Sequence, residues 1–112
     1  MATEPSLRER ALRYLAQREH TRVELARKLA PHAKDETELS ALLDALEAKK
    51  QLSDARFADA RVNKLARKYG SARILHDLKS RGVDPELARQ AAANAQEDDV
   101  ARARDKIGRA HV

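Results

Sequence analysis

Thirteen Lys and Arg residues fall into two sets at helical spacing, and they are the side chains of this 112-residue chain best placed to do chemistry. Arg61, Lys64 and Lys68 stand at i, i+3 and i+7, on one helix face, with Arg67 alongside and Arg73, Lys79 and Arg81 following. An earlier set, Arg10, Arg13, Arg18, Arg22, Arg27 and Lys28, is its equivalent. The chemistry available to such a face is attraction of anions, with no bond made or broken. A single surface charge is usually only solvated. Residues 60–82, however, hold seven bases and one acid, and that much self-repulsion points to an anionic partner, either nucleic acid or an acidic protein surface.

Catalytic chemistry has no comparable support. The four histidines, at 20, 32, 76 and 111, have no metal-ligand spacing; His20 is expected in a turn and His76 on a solvent face. The three glycines are isolated, so no phosphate loop is present, and with no cysteine there is neither thiolate nucleophile nor Cys-ligated zinc. Asp98 and Asp99 look like first-turn acids. The expectation is a non-enzymatic protein without cofactor or metal. No zinc finger, aromatic RNA platform or recognition-helix turn stands out; Phe57, Tyr14 and Tyr69 are expected to be core anchors.

The elements that must carry these cations are helices. Apolar residues make up 42% of the chain, yet 22 of these 47 are Ala and 14 are Leu, with 3 aromatics, 3 Gly and 3 Pro in all. Ala, Leu, Arg, Glu and Lys are strong helix formers, so the chain is expected to be all-α, with a core thin in large side chains. No apolar run approaches about 18 residues, so no membrane span is expected. The first seven residues have no signal-peptide pattern, and the lack of cysteine fits the cytoplasm.

Helix starts are marked by Ser6 with Glu9, Thr21 with Glu24, Asp35 with Glu38, Ser53-Asp54, and Asp84 before Pro85. Stops are marked by Pro31, Gly70 and Gly82. Leu39, Leu42, Leu43 and Leu46 form a clean apolar stripe. These signals predict helices near 6–18, 21–30, 36–49, 53–69, 71–81 and 84–96, with a partial seventh from about 99. The pattern repeats. Leu7, Leu12 and Leu15 match Phe57, Val62 and Leu65 at an offset of 50, and Leu25 and Leu29 match Ile74 and Leu78 at 49. Charge follows the same beat: residues 1–34 are net +4, 35–59 net −4, 60–82 net +6 and 83–99 net −4. Three-helix units are therefore expected at 5–52 and 53–97, basic in their first two helices and acidic in the third, with the start of another at 98–112.

Three motifs carry a resemblance to a known family. Arg10 to Leu29 (RALRYLAQREHTRVELARKL) resembles the opening repeat of the RecX family, bacterial regulators of the RecA recombinase. Leu52 to Ala58 (LSDARFA) resembles that family's best-known signature, and Tyr69 to Asp84 (YGSARILHDLKSRGVD) the rest of its second repeat. The resemblance covers residues 6–106. It implies tandem three-helix repeats in an elongated, curved array, no enzymatic activity, and a monomer that binds RecA filaments on DNA and limits their recombinase, ATPase and coprotease activities. Direct DNA contact would be weak. The basic faces would then meet filament or DNA, with Arg61, Lys64, Arg67, Lys68 and Arg73 foremost. An alternative is a general nucleic-acid-binding helical protein that acts without RecA. The family's third repeat would need three helices, so the chain is expected to be C-terminally truncated. Residues 107–112 (IGRAHV) match a translated sequencing adapter and are expected to be foreign. Marginal stability, fraying beyond about residue 97 and weakened function would follow.

Overall fold

A computed structural model of the chain describes residues 4–94. The predicted seventh helix, the segment 98–112 and the foreign tail at 107–112 lie outside the described residues. Among the described residues the protein is all-α, with six α-helices and no strand. In order they are α1 (Leu7–Gln17), α2 (Arg22–Leu29), α3 (Glu36–Ala48), α4 (Asp54–Leu65), α5 (Ser71–Ser80) and α6 (residues 85–94); a 3-10 turn, Ala30–His32, follows α2.

The caps explain the boundaries. Ser6 Oγ accepts the Glu9 N–H at 3.1 Å and starts α1. Thr21 and Glu24 form a complete capping box at α2, each side chain accepting the other's backbone N–H at 3.0 and 3.1 Å. Asp35 accepts from the Glu38 N–H at 2.8 Å, and Asp84 from the Glu86 and Leu87 N–H groups at 3.1 and 3.4 Å, with Pro85 filling the first helical position. Gly82, at φ 93, ends α5: its N–H bonds the Lys79 carbonyl at 3.1 Å and the Val83 N–H bonds that of Leu78 at 3.1 Å, the reversal that suits glycine best. α4 is shorter than predicted. It stops at Leu65, where the Lys68 and Tyr69 N–H groups both turn back onto the Leu65 carbonyl at 3.0 and 2.9 Å. This tightened turn lets Gly70 begin α5, and it takes Lys68 off the helical register of Arg61 and Lys64.

The helices fall into two compact units that divide between Phe57 and Ala58. In the first, Ala11 of α1, Leu25 and Leu29 of α2, Leu43 and Leu46 of α3, and Leu52 form the buried core, with Leu7, Leu12, Tyr14, Leu15, Leu39 and Leu42 packed at its margin. Each fully buried Leu contributes roughly 1.5–3 kcal/mol, so these few side chains carry the unit. In the second, Ala58, Val62, Ile74, Leu78, Val83, Ala88, Ala91 and Ala92 are buried, mostly small side chains. Among the described residues no helix is long and apolar enough to cross a membrane.

Candidate anion-binding surface

In the second unit, α4, the turn after it and α5 bring seven cations to the surface, but not all face outward alone. Asp77 on α5 takes two of them. Arg61 donates from Nε to Asp77 Oδ2 at 2.8 Å and from Nη2 to Oδ1 at 3.2 Å, and Arg81, one turn further on, donates from Nε to Oδ2 at 3.2 Å. The Arg61 guanidinium holds the Asp77 carboxyl below the usual carboxylate range; partial burial opposes this and Arg81 adds to it. Lys64, Arg67, Lys68 and Lys79 are exposed and have no ion-pair partner among the described residues. Arg73 lies over the Tyr69 ring, 4.4 Å from its centroid, which holds the guanidinium without neutralising it. The α5 N-terminus has no side-chain cap and no acid in its first turn, and a Cβ at Gly70 would meet nothing within 4 Å.

The first unit shows the same division. Arg18 bonds both Glu24 carboxylate oxygens, at 3.2 and 3.3 Å, and Arg22 pairs with Asp44 at 2.8 Å and with Glu47. Burial raises Glu24, but the Arg18 and Thr21 hydrogen bonds outweigh it and bring the carboxyl below its ordinary range. Lys28 sits 4.8 Å over the Tyr14 ring and 2.8 Å from His20 Nε2. Arg10, Arg13 and Arg27 have no ion-pair partner among the described residues.

Of the thirteen predicted cations, seven are therefore free of an acid partner among the described residues and lack an aromatic seat: Arg10, Arg13, Arg27, Lys64, Arg67, Lys68 and Lys79. The aromatic seats go to one cation in each unit, Lys28 over Tyr14 in the first and Arg73 over Tyr69 in the second. Arg18, Arg22, Arg61 and Arg81 are bound to carboxylates. Only the Asp77–Arg81 spacing of four made one of these pairs legible in sequence; Arg61–Asp77 and Arg22–Asp44 are tertiary.

His20 lies between α1 and α2, as expected, but is fully buried. Its Nε2 faces the Lys28 ammonium and must accept, so Nδ1–H donates to the Arg18 carbonyl at 3.0 Å. Burial pushes the imidazole down, reinforced by the charges of Arg18 and Lys28 and opposed by the Arg18 carbonyl and Glu24. A sequence signal exists for this: His20 immediately precedes the α2 capping box, the position where a side chain packs back onto the helix. Among the described residues no three His, Asp or Glu side chains gather where a metal could sit.

Comparison with known proteins follows the same lines. A family profile described as "RecX, second three-helix domain" matches residues 53–91. The chain is 50% identical over 100 residues to the regulatory protein RecX of Herminiimonas arsenicoxydans, a match that covers 89% of this chain and 66% of that protein. It is 41% identical over 104 residues to the regulatory protein RecX of Herbaspirillum seropedicae, covering 93% of this chain and 68% of the relative. The crystal structure of RecX from Lactobacillus salivarius superposes with a TM-score of 0.74 at 22% identity, over 94% of this chain and 72% of that one. The chain thus spans about two thirds of the length of the curated relatives it matches.

Proposed function

The chain belongs to the RecX family, and we propose that it is a non-enzymatic regulatory protein that binds RecA filaments on DNA and chiefly inhibits their recombinase, ATPase and coprotease activities. The observation that carries this reading is the sorting of its cations. On the first two helices of each unit, lysines and arginines remain without acid partners among the described residues while neighbouring ones are neutralised internally. Unpartnered cations on a folded surface attract phosphate oxygens or acidic side chains, and a DNA-bound filament offers both. The third helix of each unit is the acidic one: Glu36, Glu38, Asp44 and Glu47 lie on the exposed part of α3, and Asp84 and Glu86 at the start of α6. A phosphate-facing role for those helices is disfavoured by charge, so the anionic partner belongs to α1, α2, α4 and α5.

In this reading the protein works as a monomer in the cytoplasm, in DNA recombination and repair and the SOS response. It has three-helix repeats at 5–52 and 53–97, takes no cofactor, and makes its DNA contacts secondary to those with RecA. The test is the single-stranded-DNA-dependent ATPase of a bacterial RecA with this protein added below stoichiometry. Inhibition supports filament modulation. A folded protein that binds single-stranded DNA equally well without RecA, and leaves the ATPase unchanged, replaces this reading with general nucleic-acid binding.

A further inference from the structure

The segment between α3 and α4 meets the ends of three helices. After α3, the position where glycine usually reverses the chain is occupied by Lys50, at φ 61, a left-handed conformation that a Cβ disfavours. The Lys50 N–H bonds the Glu47 carbonyl at 3.0 Å and the Gln51 N–H that of Leu46 at 2.9 Å, closing the end of α3. Arg56 then takes the carbonyls this reversal leaves over. Its Nη1 donates to Lys50 O at 2.8 Å, its Nη2 to Gln51 O at 3.2 Å, and its Nε to Glu19 Oε1 at 2.6 Å. Nearby, Asp54 Oδ1 accepts the N–H of Arg22, the first residue of α2, at 2.8 Å, and Ser53 Oγ accepts the Arg56 N–H at 3.1 Å to start α4. Leu52 and Phe57, both buried, pin the two ends of the segment.

A strained backbone residue persists only where its surroundings hold it. At Lys50 the holding group is a guanidinium, whose planar fork reaches two successive carbonyls in a way a lysine's point charge does not. We propose that Arg56 is a positioning residue: it keeps Lys50 left-handed and thereby anchors the first turn of α4. Although exposed and cationic, Arg56 is then no part of the anion-binding surface, a clause that rests on the function proposed above. Its Nε, Nη1 and Nη2 are all engaged, and Glu19 balances its charge. Released, Lys50 relaxes, the Gln51–Leu46 bond opens, and the first turn of α4 loses its anchor. Glycine at position 50 has no strain to hold, so the need for Arg56 falls.

The experiment is a double-mutant cycle on the full chain, with Arg56→Ala, Lys50→Gly and both together, read by native-state amide exchange. Arg56→Ala is expected to speed exchange of the Gln51 amide by about tenfold, and by less than about threefold in the Lys50→Gly background. Arg56→Lys is expected to behave as Arg56→Ala. Additive effects, or full rescue by Arg56→Lys, overturn the proposal. Should Arg56→Ala fail to fold, restored folding on adding Lys50→Gly supports it, and continued failure overturns it. The salt dependence of single-stranded DNA binding supplies a second readout, which Arg56→Ala is expected to leave unchanged. A slope shallower by about 0.7 makes Arg56 a phosphate ligand instead and overturns its exclusion from the surface. If the chain leaves the RecA ATPase unchanged, the function proposed above fails, while the exchange cycle still decides the role of Arg56.

Discussion

Asp77→Asn is expected to weaken the fold and strengthen binding to an anionic partner, and both effects follow from one carboxylate. Asp77 holds Arg61 through two hydrogen bonds, at 2.8 and 3.2 Å, and Arg81 through a third at 3.2 Å. Hydrogen bonds to charged groups contribute about 1.5–3 kcal/mol when sheltered, and exposed ion pairs about 0.2–1 kcal/mol. The Arg61 and Asp77 side chains are 21% and 22% exposed, between those limits. Asparagine keeps one acceptor oxygen, so a loss of about 1–2 kcal/mol is expected, each kcal/mol lowering the midpoint by about 4–8 °C in a domain this small. The pH dependence has a definite sign. Arg61 first, then Arg81, hold the folded Asp77 carboxyl below its ordinary 3.8 against the opposing effect of burial. The stabilisation is therefore fully present above about pH 3.8 and is lost as pH falls through the lower folded value, where wild type and variant converge. Meanwhile the Arg61 and Arg81 guanidinium groups lose the Asp77 charge. On single-stranded DNA each additional phosphate contact steepens the salt slope by about 0.7, so Asp77→Asn is expected to steepen it by up to about 1.4. Thermal melts at pH 7 and pH 3, with a salt titration of DNA binding by fluorescence anisotropy, measure both. An unchanged or shallower slope would show that Arg61 and Arg81 point away from the partner, and a melting difference that persists undiminished at pH 3 would refute the ion-pair account.

Three further outcomes are expected. Combined Lys64→Ala, Arg67→Ala and Lys68→Ala substitution is expected to flatten the same salt slope by about 2 with the melting midpoint nearly unchanged, because these cations have no ion-pair partner among the described residues; an unaltered slope would remove them from the surface. His20 is expected to titrate below 6.5 by NMR of its ring protons, since burial lowers it, and folding stability is expected to decline as pH falls below 6.5 toward that folded value; a midpoint at or above 6.5 contradicts the buried, neutral ring. Asp54→Asn is expected to raise the melting midpoint at pH 7. Burial, with Glu47 and Glu24 adding to it, lifts the Asp54 carboxyl above 3.8 against the Arg22 N–H and charge, so the charged form costs stability above that folded value and not below 3.8. Melts of the two proteins that fail to converge in acid would refute this.

Much of the fold is local and so was written in the sequence. Capping residues at Ser6, Thr21, Asp35 and Asp84, and the stop at Gly82, act through bonds to amides or carbonyls a few residues away, and each helix begins or ends within a residue or two of where they place it. The Leu39 to Leu46 stripe likewise placed Leu43 and Leu46 in the core because a helix puts i, i+3, i+4 and i+7 on one side. The end of α4 was not legible. No breaker stands between Leu65 and Gly70, and the turn in which the Lys68 and Tyr69 N–H groups share the Leu65 carbonyl has no marker residue in the sequence. Composition and spacing also identified a surplus of cations, but charge counting treats every arginine alike. Which are available depends on distances between helices: Asp77 reaching across to Arg61, Asp44 to Arg22, His20 turned inward against Lys28, and Arg56 closed over the carbonyls of left-handed Lys50 and of Gln51. Sequence determined the helices and their surplus of positive charge. Tertiary packing decided which cations stay without an acid partner among the described residues, because a carboxylate brought within about 3 Å neutralises a guanidinium that one-dimensional spacing leaves free.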